Sequence, residues 1–389
     1  MQRTLAVRAV AAAAVAAAVA IPATSAFASG TVSGAGSTLV APFVQTVWAS
    51  DFKNSTGNTV NYAGVGSSAG IAAITGKNVD FGASDAPLTS SQASNCGCKE
   101  IAWALSATGR TVDFGASDAP LTSSQASQCG CDEVAWALSA TGPAFNLPGI
   151  THLNLSGPVL AGIYLGKITH WNAPQIKTIN KGVKLPNLAI SPVYRSDGSG
   201  DTYAFTNFLY HSAPAWKPVG LGTSVQWPSG VGTGAKGNAG VAGVIGSTPG
   251  AIGYVSTFYV RLTPAIHQAR VENNAGKFVY PYIQDIAAAA ALVKHVTPNA
   301  QISIVNPAWT PLKKGQKKLT YTQKLQQIAY PIATYTYAIV PSHPKDAALL
   351  KQFLSFAISP AEQKKGASLV FAPLPPQAVA AANKTINSL

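Results

Sequence analysis

The chain has 389 residues and carries 27 Lys and Arg against 14 Asp and Glu, a formal net charge of +13. It is long enough for two domains and is basic mainly through a shortage of acids. The Lys and Arg residues read as scattered, no basic, aromatic-interleaved stretch stands out and the seven tryptophans are dispersed, which argues against nucleic-acid binding. A solvated basic surface is the plain reading of that charge, and an anionic ligand or an anionic cell surface are the partners it allows.

In chain order, Arg3 and Arg8 precede an alanine/valine stretch that ends at Ala26-Phe27-Ala28. That is the layout of a secretory signal over residues 1–28 with an A-x-A cleavage site. The apolar run from Ala9 to Ile21 is shorter than the roughly 20 residues a spanning helix needs. The first cysteine is Cys96, so no cysteine stands near the cleavage site to carry a lipid. An exported, soluble chain, periplasmic or extracellular, is expected.

VNYAGVG, from Val60, reads as a strand, SAGIAAITG as a short helix entered through Gly66-Ser67-Ser68, and VDFGASD as a strand ending in a turn. VLAGIYLGKITHW, AISPVYRSDGSG, TYAFTNFLYH and AIGYVSTFY follow, then PIATYTYAIV as a clear strand and DAALLKQFLSFAI with apolar residues at helical spacing. Strands alternating with helices predict α/β units with largely parallel sheets.

One segment occurs twice. Val79–Gly109 and Val112–Gly142 differ only at Asn95/Gln128, Lys99/Asp132 and Ile101/Val134. Solenoids need at least three repeats to stack, so one fold with a surplus copy over about 79–142 is expected. The four cysteines, Cys96, Cys98, Cys129 and Cys131, belong to the two copies. Their spacing fits no familiar zinc pattern, and in an exported chain disulfides are the better expectation. Neither a metal nor a cofactor is expected.

Four stretches put glycine and small hydroxyl residues where a strand hands over to a helix: GAGSTL (Gly34–Leu39), GVGSSAG (Gly64–Gly70), GASDAP (Gly82–Pro87, copied at Gly115–Pro120) and RSDGSGDT (Arg195–Thr202). Glycine lets the backbone approach closely, and a helix start offers N–H donors and a positive dipole end, so together they suit an anion. Arg195 adds a planar fork that matches oxyanions. An aspartate there, Asp85 or its copy Asp118, repels a fully ionised ligand but accepts from one that carries a proton. An unmatched acceptor pair in a dry cleft costs about 1–3 kcal/mol, which favours hydrogen phosphate over sulfate.

Here the sequence resembles a known family, the phosphate-specific substrate-binding proteins of bacterial ABC transporters. The resemblance rests on GAGSTLVAPF, VNYAGVGSSAGI, VDFGASDAPL, NLPGI, IYLGKITHWNAPQI, YRSDGSGDTYAFT, GAIGYV and APLPP, in that order over nearly the whole exported chain. It implies a type II periplasmic-binding-protein fold: two α/β lobes joined by a hinge, with one phosphate bound in the cleft between them. The implied ligand contacts are Thr38, the backbone N–H of Leu39, Ser67, Asp85 or else Asp118, Arg195, Ser199 and Gly200. Asp197 would orient Arg195. Asp201 stands where some members have threonine, so a hydroxyl contact is lost there. Residues 29–135 and 300–389 would form one lobe and 136–299 the other. The implied partners are inorganic phosphate and the membrane permease subunits of a transporter, and the implied state is a monomer without catalytic activity.

Copy one follows directly from the helix that Ser67 begins, and copy two runs into ALSATGPAFNLPG, which resembles the strand crossing to the second lobe. That order puts Asp85 ahead of Asp118, with the surplus residues packed elsewhere. One rival is a secreted hydrolase, because Gly66-Ser67-Ser68-Ala69-Gly70 matches G-x-S-x-G with Ser68 as nucleophile and His267, His295 or His343 as base. The same turn is already accounted for by anion binding. GTGAKGN (Gly232–Asn238) fails as a P-loop, because Lys236 is followed by glycine. A closer rival is the same fold serving sulfate or molybdate, and the aspartate speaks against it.

Overall fold

The computed structural model describes residues 30–66, 69–70, 73, 81–82, 115–117, 131–294, 303–341 and 346–389. The signal segment, Ser67, Ser68, Asp85, Asp118, Cys96, Cys98, Cys129, His295 and His343 lie outside them.

Alternating strands and helices follow the expected pattern. Thr31–Gly36 pairs in parallel with Thr59–Gly64 on one side and with Phe81–Gly82 on the other, giving a three-stranded parallel sheet. A helical stretch over 41–56, with a π-helical turn at Val44–Trp48, packs on it and ends at Gly57 in the left-handed conformation. Phe43, Trp48 and Phe52 of this stretch are buried. Their rings meet Trp136, Phe353 and Phe371, with centroids 4.2 Å apart for Phe43–Trp48 and 5.1 Å for Trp48–Trp136. All six side chains are buried. At about 1.5–3 kcal/mol for each large side chain removed from water, this aromatic group is a principal source of stability on this side of the molecule.

The larger sheet runs in the order Gly115–Ser117, Ala333–Pro341, Cys131–Phe145, Ala251–Ser256, Ser191–Arg195, Thr233–Ala235, with His267–Gln268 also on the long strand Cys131–Phe145. That long strand changes partner along its length. Up to Ala140 it pairs antiparallel with Ala333–Pro341, and from Thr141 onward with Ala251–Ser256. Gly142 stands just past the exchange, where a Cβ would run into the Tyr330 hydroxyl and the Gln268 amide. Beyond it the strands Ser191–Arg195 and Ala251–Ser256 run parallel. Ala251–Ser256 is buried along its whole length, which suits its continuous apolar sequence. Tyr164, Phe205, Tyr254 and Trp227 form a second aromatic group on this side. The result is a two-lobed α/β architecture, as the resemblance implies.

The two copies of the duplicated segment have different surroundings. Phe81–Gly82 of copy one lies beside Gly34 and Ala35 in the parallel sheet, whereas Gly115–Ser117 of copy two runs antiparallel to Tyr337–Ile339 at the edge of the larger sheet. Part of the surplus segment therefore gains its backbone hydrogen bonds as an added edge strand.

Candidate functional site

Strand Ser191–Arg195 ends at Arg195, and helix Gly200–Ser212 begins five residues later. Ser199 caps that helix, its hydroxyl accepting from the Asp201 N–H at 3.0 Å. The turn between them brings two carboxylates onto one buried guanidinium. Arg195 donates from Nε and Nη2 to the two oxygens of Asp197 at 2.8 and 2.6 Å, and from Nη1 to Oδ2 of Asp201 at 2.8 Å. The side chains of Arg195 and Asp201 are fully buried, and Asp197 is 15% exposed. Burial pushes the Asp197 carboxyl up. The Arg195 guanidinium, by hydrogen bond and by charge, and the Gly237 N–H outweigh that and hold it below the usual carboxylate range.

Asp201 does more than replace a hydroxyl. Besides Arg195, its carboxylate accepts from Asn238 Nδ2 at 2.7 Å, from the Ser199 hydroxyl at 3.4 Å and from the Thr141 hydroxyl. Thr141 is the first residue of the long strand after its change of partner, so this bond ties the crossing to the Arg195 cluster. Tyr254, its hydroxyl raised above the ordinary phenol range by burial, accepts from the Arg195 N–H at 3.0 Å and exchanges a hydrogen bond with Thr202 at 2.7 Å.

A second helix start converges on the same point. Strand Thr233–Ala235 hands over to helix Gly237–Ser247 at Lys236. The Gly237 N–H donates to Asp197 at 3.0 Å. Asn238 is a four-way junction. Its Nδ2 reaches Thr38 Oγ1 at 3.1 Å as well as Asp201, its own N–H also points to Thr38 Oγ1 at 3.3 Å, and its Oδ1 accepts from the Ser256 N–H at 2.7 Å. Tyr259 donates to the Thr38 carbonyl at 3.1 Å. The GAGSTL turn from the parallel sheet thus meets the Arg195 cluster through Asn238. Gly66 lies against it from the same side, at φ +93, and a Cβ there would collide with the Asp197 carboxylate.

Of the residues expected at the site, Thr38, Arg195, Ser199, Gly200, Asp197 and Asp201 come together. Leu39 follows Thr38, but its N–H donates to Ser37 Oγ at 3.1 Å, as does that of Val40 at 3.3 Å. The Ser199 N–H donates to the Thr223 carbonyl at 2.9 Å. Ser67 and both candidate aspartates, Asp85 and Asp118, lie outside the described residues. Gly82, three residues before Asp85, pairs with Ala35, and three residues span at most about 11 Å. Sequence reasoning missed Asn238 and Thr141. Asn238 follows the glycine of a strand-to-helix turn, which is the signal shared by the four stretches that were singled out.

For the hydrolase reading, His267 sits in a two-residue strand with its ring against Phe145 at 6.0 Å, and the other residues it needs lie outside the described ones. Among the described residues no group of three or more His, Cys, Asp or Glu could hold a metal ion.

Comparison with known proteins bears on the same residues. A family described as a PBP superfamily domain matches residues 22–109 and 104–361. The two matched stretches overlap by a few residues at the junction of the copies, so that one holds copy one and the other copy two. The chain is 35% identical over 353 residues to the phosphate-binding protein PstS of Xylella fastidiosa (strain Temecula1 / ATCC 700964), covering 90% of this chain and 82% of the relative. It is 37% identical over 264 residues to PstS of Pasteurella multocida (strain Pm70), covering 67% of this chain and 66% of the relative. Among solved structures it resembles a high-affinity periplasmic phosphate-binding protein, PfluDING, bound with phosphate, with a TM-score of 0.63 at 21% identity, over 91% of this chain and 93% of that one. The phosphate-binding protein of Stenotrophomonas maltophilia gives a TM-score of 0.62 at 18% identity, again over 91% and 93%. At such identities these structures speak for the fold.

Proposed function

Because the chain belongs to the PstS family of phosphate-binding proteins, we infer that it binds inorganic phosphate outside the cytoplasmic membrane and delivers it to an ABC transporter for import. The observation that carries this reading is the convergence of two helix starts and the GAGSTL turn on buried Arg195, between the two sides of the fold. Helix starts supply N–H donors to an oxyanion, and a guanidinium fixed by two carboxylates is oriented before the ligand arrives, which lowers the cost of ordering the site.

The ligand contacts proposed are Thr38, Leu39, Ser67, Asp85, Arg195, Ser199 and Gly200, with Asp197 and Asp201 holding Arg195. The parallel pairing of Phe81–Gly82 beside the GAGSTL strand favours Asp85 over Asp118 as the acceptor of the ligand's proton. In the bound state the N–H groups of Leu39 and Gly200 would turn to the ligand. The division into lobes, 29–135 with 300–389 against 136–299, is supported by the change of partners in the long strand, with the crossing itself at Ala140 and Thr141. Residues 1–28 act as an export signal. Among the described residues no helix is long and apolar enough to cross a membrane. The permease subunits of the transporter are the protein partners, and the chain acts by binding and release as a monomer, without catalysis.

The test is calorimetric titration of the secreted chain with phosphate at neutral pH in excess sulfate. Tight one-to-one binding that sulfate does not weaken is expected, and loss of that selectivity in Asp85→Asn but not in Asp118→Asn. Equal competition by sulfate would overturn the reading, and selectivity lost only in Asp118→Asn would reassign the aspartate.

A further inference from the structure

The cations are not all scattered. Lys313, Lys314, Lys317, Lys318 and Lys324 stand within twelve residues, PLKKGQKKLTYTQK contains no acid, and no Asp or Glu occurs between Asp285 and Asp346. The dispersed surface read from the whole-chain count is corrected here. All five lysines are exposed, and none takes part in an ion pair among the described residues.

The segment is held in shape from beneath. Gln323 is 3% exposed. Its Nε2 donates to the carbonyls of Thr310 and Pro311 at 3.0 and 3.2 Å, and its Oε1 accepts from the Thr320 N–H at 3.0 Å and from Gln316 Nε2 at 2.6 Å. Gln316 Nε2 also reaches the Lys318 carbonyl at 2.7 Å, and its Oε1 accepts from the Lys313 N–H at 3.1 Å. Thr320 and Gln323 form a capping box for helix Tyr321–Ile328. Two glutamines therefore fix the backbone from which the lysines project.

Apolar side chains are exposed at the same place. Of the six exposed large hydrophobics among the described residues, Leu312 at 51%, Tyr321 at 75% and Ile328 at 41% belong to this segment and its helix. Cations alone would suit any polyanion. Cations beside an exposed leucine and tyrosine suit an interface in which the charges meet headgroups while the apolar tips enter the acyl boundary. The cluster contains no arginine, hence no planar fork for bidentate recognition of one specific phosphate or carboxylate. Point charges on flexible stems fit a diffuse anionic surface.

We propose that residues 311–324 form a docking surface for an anionic phospholipid bilayer, which keeps this chain at the outer face of a membrane. It is independent of the phosphate site.

The experiment is co-flotation of the full chain, as secreted by an expression host, with vesicles of phosphatidylcholine alone or with roughly one third phosphatidylglycerol. Binding only to the anionic vesicles, lost in concentrated salt, is expected. Each lysine brought to such a surface strengthens binding on the order of fivefold, so K313Q/K314Q/K317Q/K318Q should weaken partitioning on the order of a hundredfold or more. L312S/Y321S should weaken it about tenfold. Far-UV circular dichroism and phosphate titration check that both variants are folded. Equal binding to neutral and anionic vesicles, no binding to either, or an undiminished quadruple variant overturns the proposal. Full vesicle binding by L312S/Y321S, together with equal capture of the wild type by soluble polyphosphate, overturns the bilayer in favour of a dissolved polyanion.

Discussion

Replacing Asp201 with asparagine or with alanine should give two distinct losses of stability. The fully buried carboxylate receives four side-chain donors: Arg195, Asn238, Ser199 and Thr141. Asparagine keeps the volume and one oxygen. That oxygen can stay on Arg195 and Asn238, which turns the new NH2 toward Thr141, whose hydroxyl can rotate to accept. The donors to that oxygen are then all kept, and Arg195 keeps Asp197 as counter-ion through two hydrogen bonds. The loss is that of charge in the two bonds from Arg195 and Asn238. A hydrogen bond to a charged group contributes about 1.5–3 kcal/mol against about 0.5–1.5 for a neutral one, a difference near 1 kcal/mol for the Asn238 bond. The Arg195 bond stays charge-assisted but loses its ionic partner, a comparable amount, which makes about 2 kcal/mol in all. Alanine strands every donor and opens a cavity, and removing one member of a buried pair costs about 3–5 kcal/mol.

Urea unfolding at neutral pH separates the two, provided the slopes are unchanged. The expected order is wild type, then Asn lower by about 2 kcal/mol, then Ala lower again by at least 1 kcal/mol. A Thr141→Val change should be more harmful in the Asp201→Asn background than in the wild type, because the rotated hydroxyl then accepts from the new NH2. Equal losses for Asn and Ala, or an Asn variant within about 0.5 kcal/mol of wild type, would refute the junction role given to Asp201.

Gly66→Ala places a Cβ against the Asp197 carboxylate at a backbone angle of φ +93. It should weaken phosphate binding by an order of magnitude or more, read by calorimetry, as Asp197 releases its grip on Arg195; unchanged affinity would show that the turn can yield. Asp285, in the first turn of helix Ile283–Ala291, has its carboxyl pushed up to about 6 by burial, against a side-chain bond to Gln284 that lowers it. A carboxyl raised in the folded state makes the fold most stable while it is protonated, and that advantage is lost as pH rises from about 4 through 6. Asp285→Asn should therefore raise stability by about 1–2 kcal/mol at pH 7 and by nothing near pH 4, and a gain independent of pH would reject burial of the charge as its cause.

The parts of the site legible in the sequence were those written within one turn. RSDGSGDT puts Arg195, Asp197, Ser199 and Asp201 within seven residues, so glycine, cap and charge pattern can be read together. Asp201 nevertheless reads in the sequence only as a lost hydroxyl, because its partners Thr141 and Asn238 lie 60 and 37 residues away and only the folding of two strands brings them near. GTGAKGN lacks the hydroxyl that follows lysine in the pattern that holds phosphate, since Gly237 follows Lys236. What the stretch contributes is a backbone N–H from Gly237 and an amide from Asn238, and neither is visible in a search for charged ligands. The near-identity of the two copies hid which one enters the parallel sheet. Strand pairing separates them, since Phe81–Gly82 pairs with Gly34 and Ala35, whereas Gly115–Ser117 pairs with Tyr337–Ile339.

The Arg195 cluster also constrains how an anion can be attracted. One guanidinium faces two carboxylates, so the cluster carries no surplus positive charge, and Asp85 in the cleft would make the balance more negative still. Coulomb attraction by arginine therefore cannot be the source of affinity for phosphate. The N–H groups proposed to turn to the ligand, those of Leu39 and Gly200, act as dipoles at contact distance and are left to supply it. Dipoles at contact range are barely screened by salt, whereas a cleft with a net charge is screened over about 10 Å at 0.1 M ionic strength. Between low and roughly 0.5 M sodium chloride, phosphate affinity should fall by less than about threefold. The same titration on the vesicle-binding surface should show near-complete loss, because exposed lysines act through screened charge. A steep salt dependence of phosphate affinity would mean that the two carboxylates do not neutralise Arg195 in the bound state, and that the ligand displaces one of them.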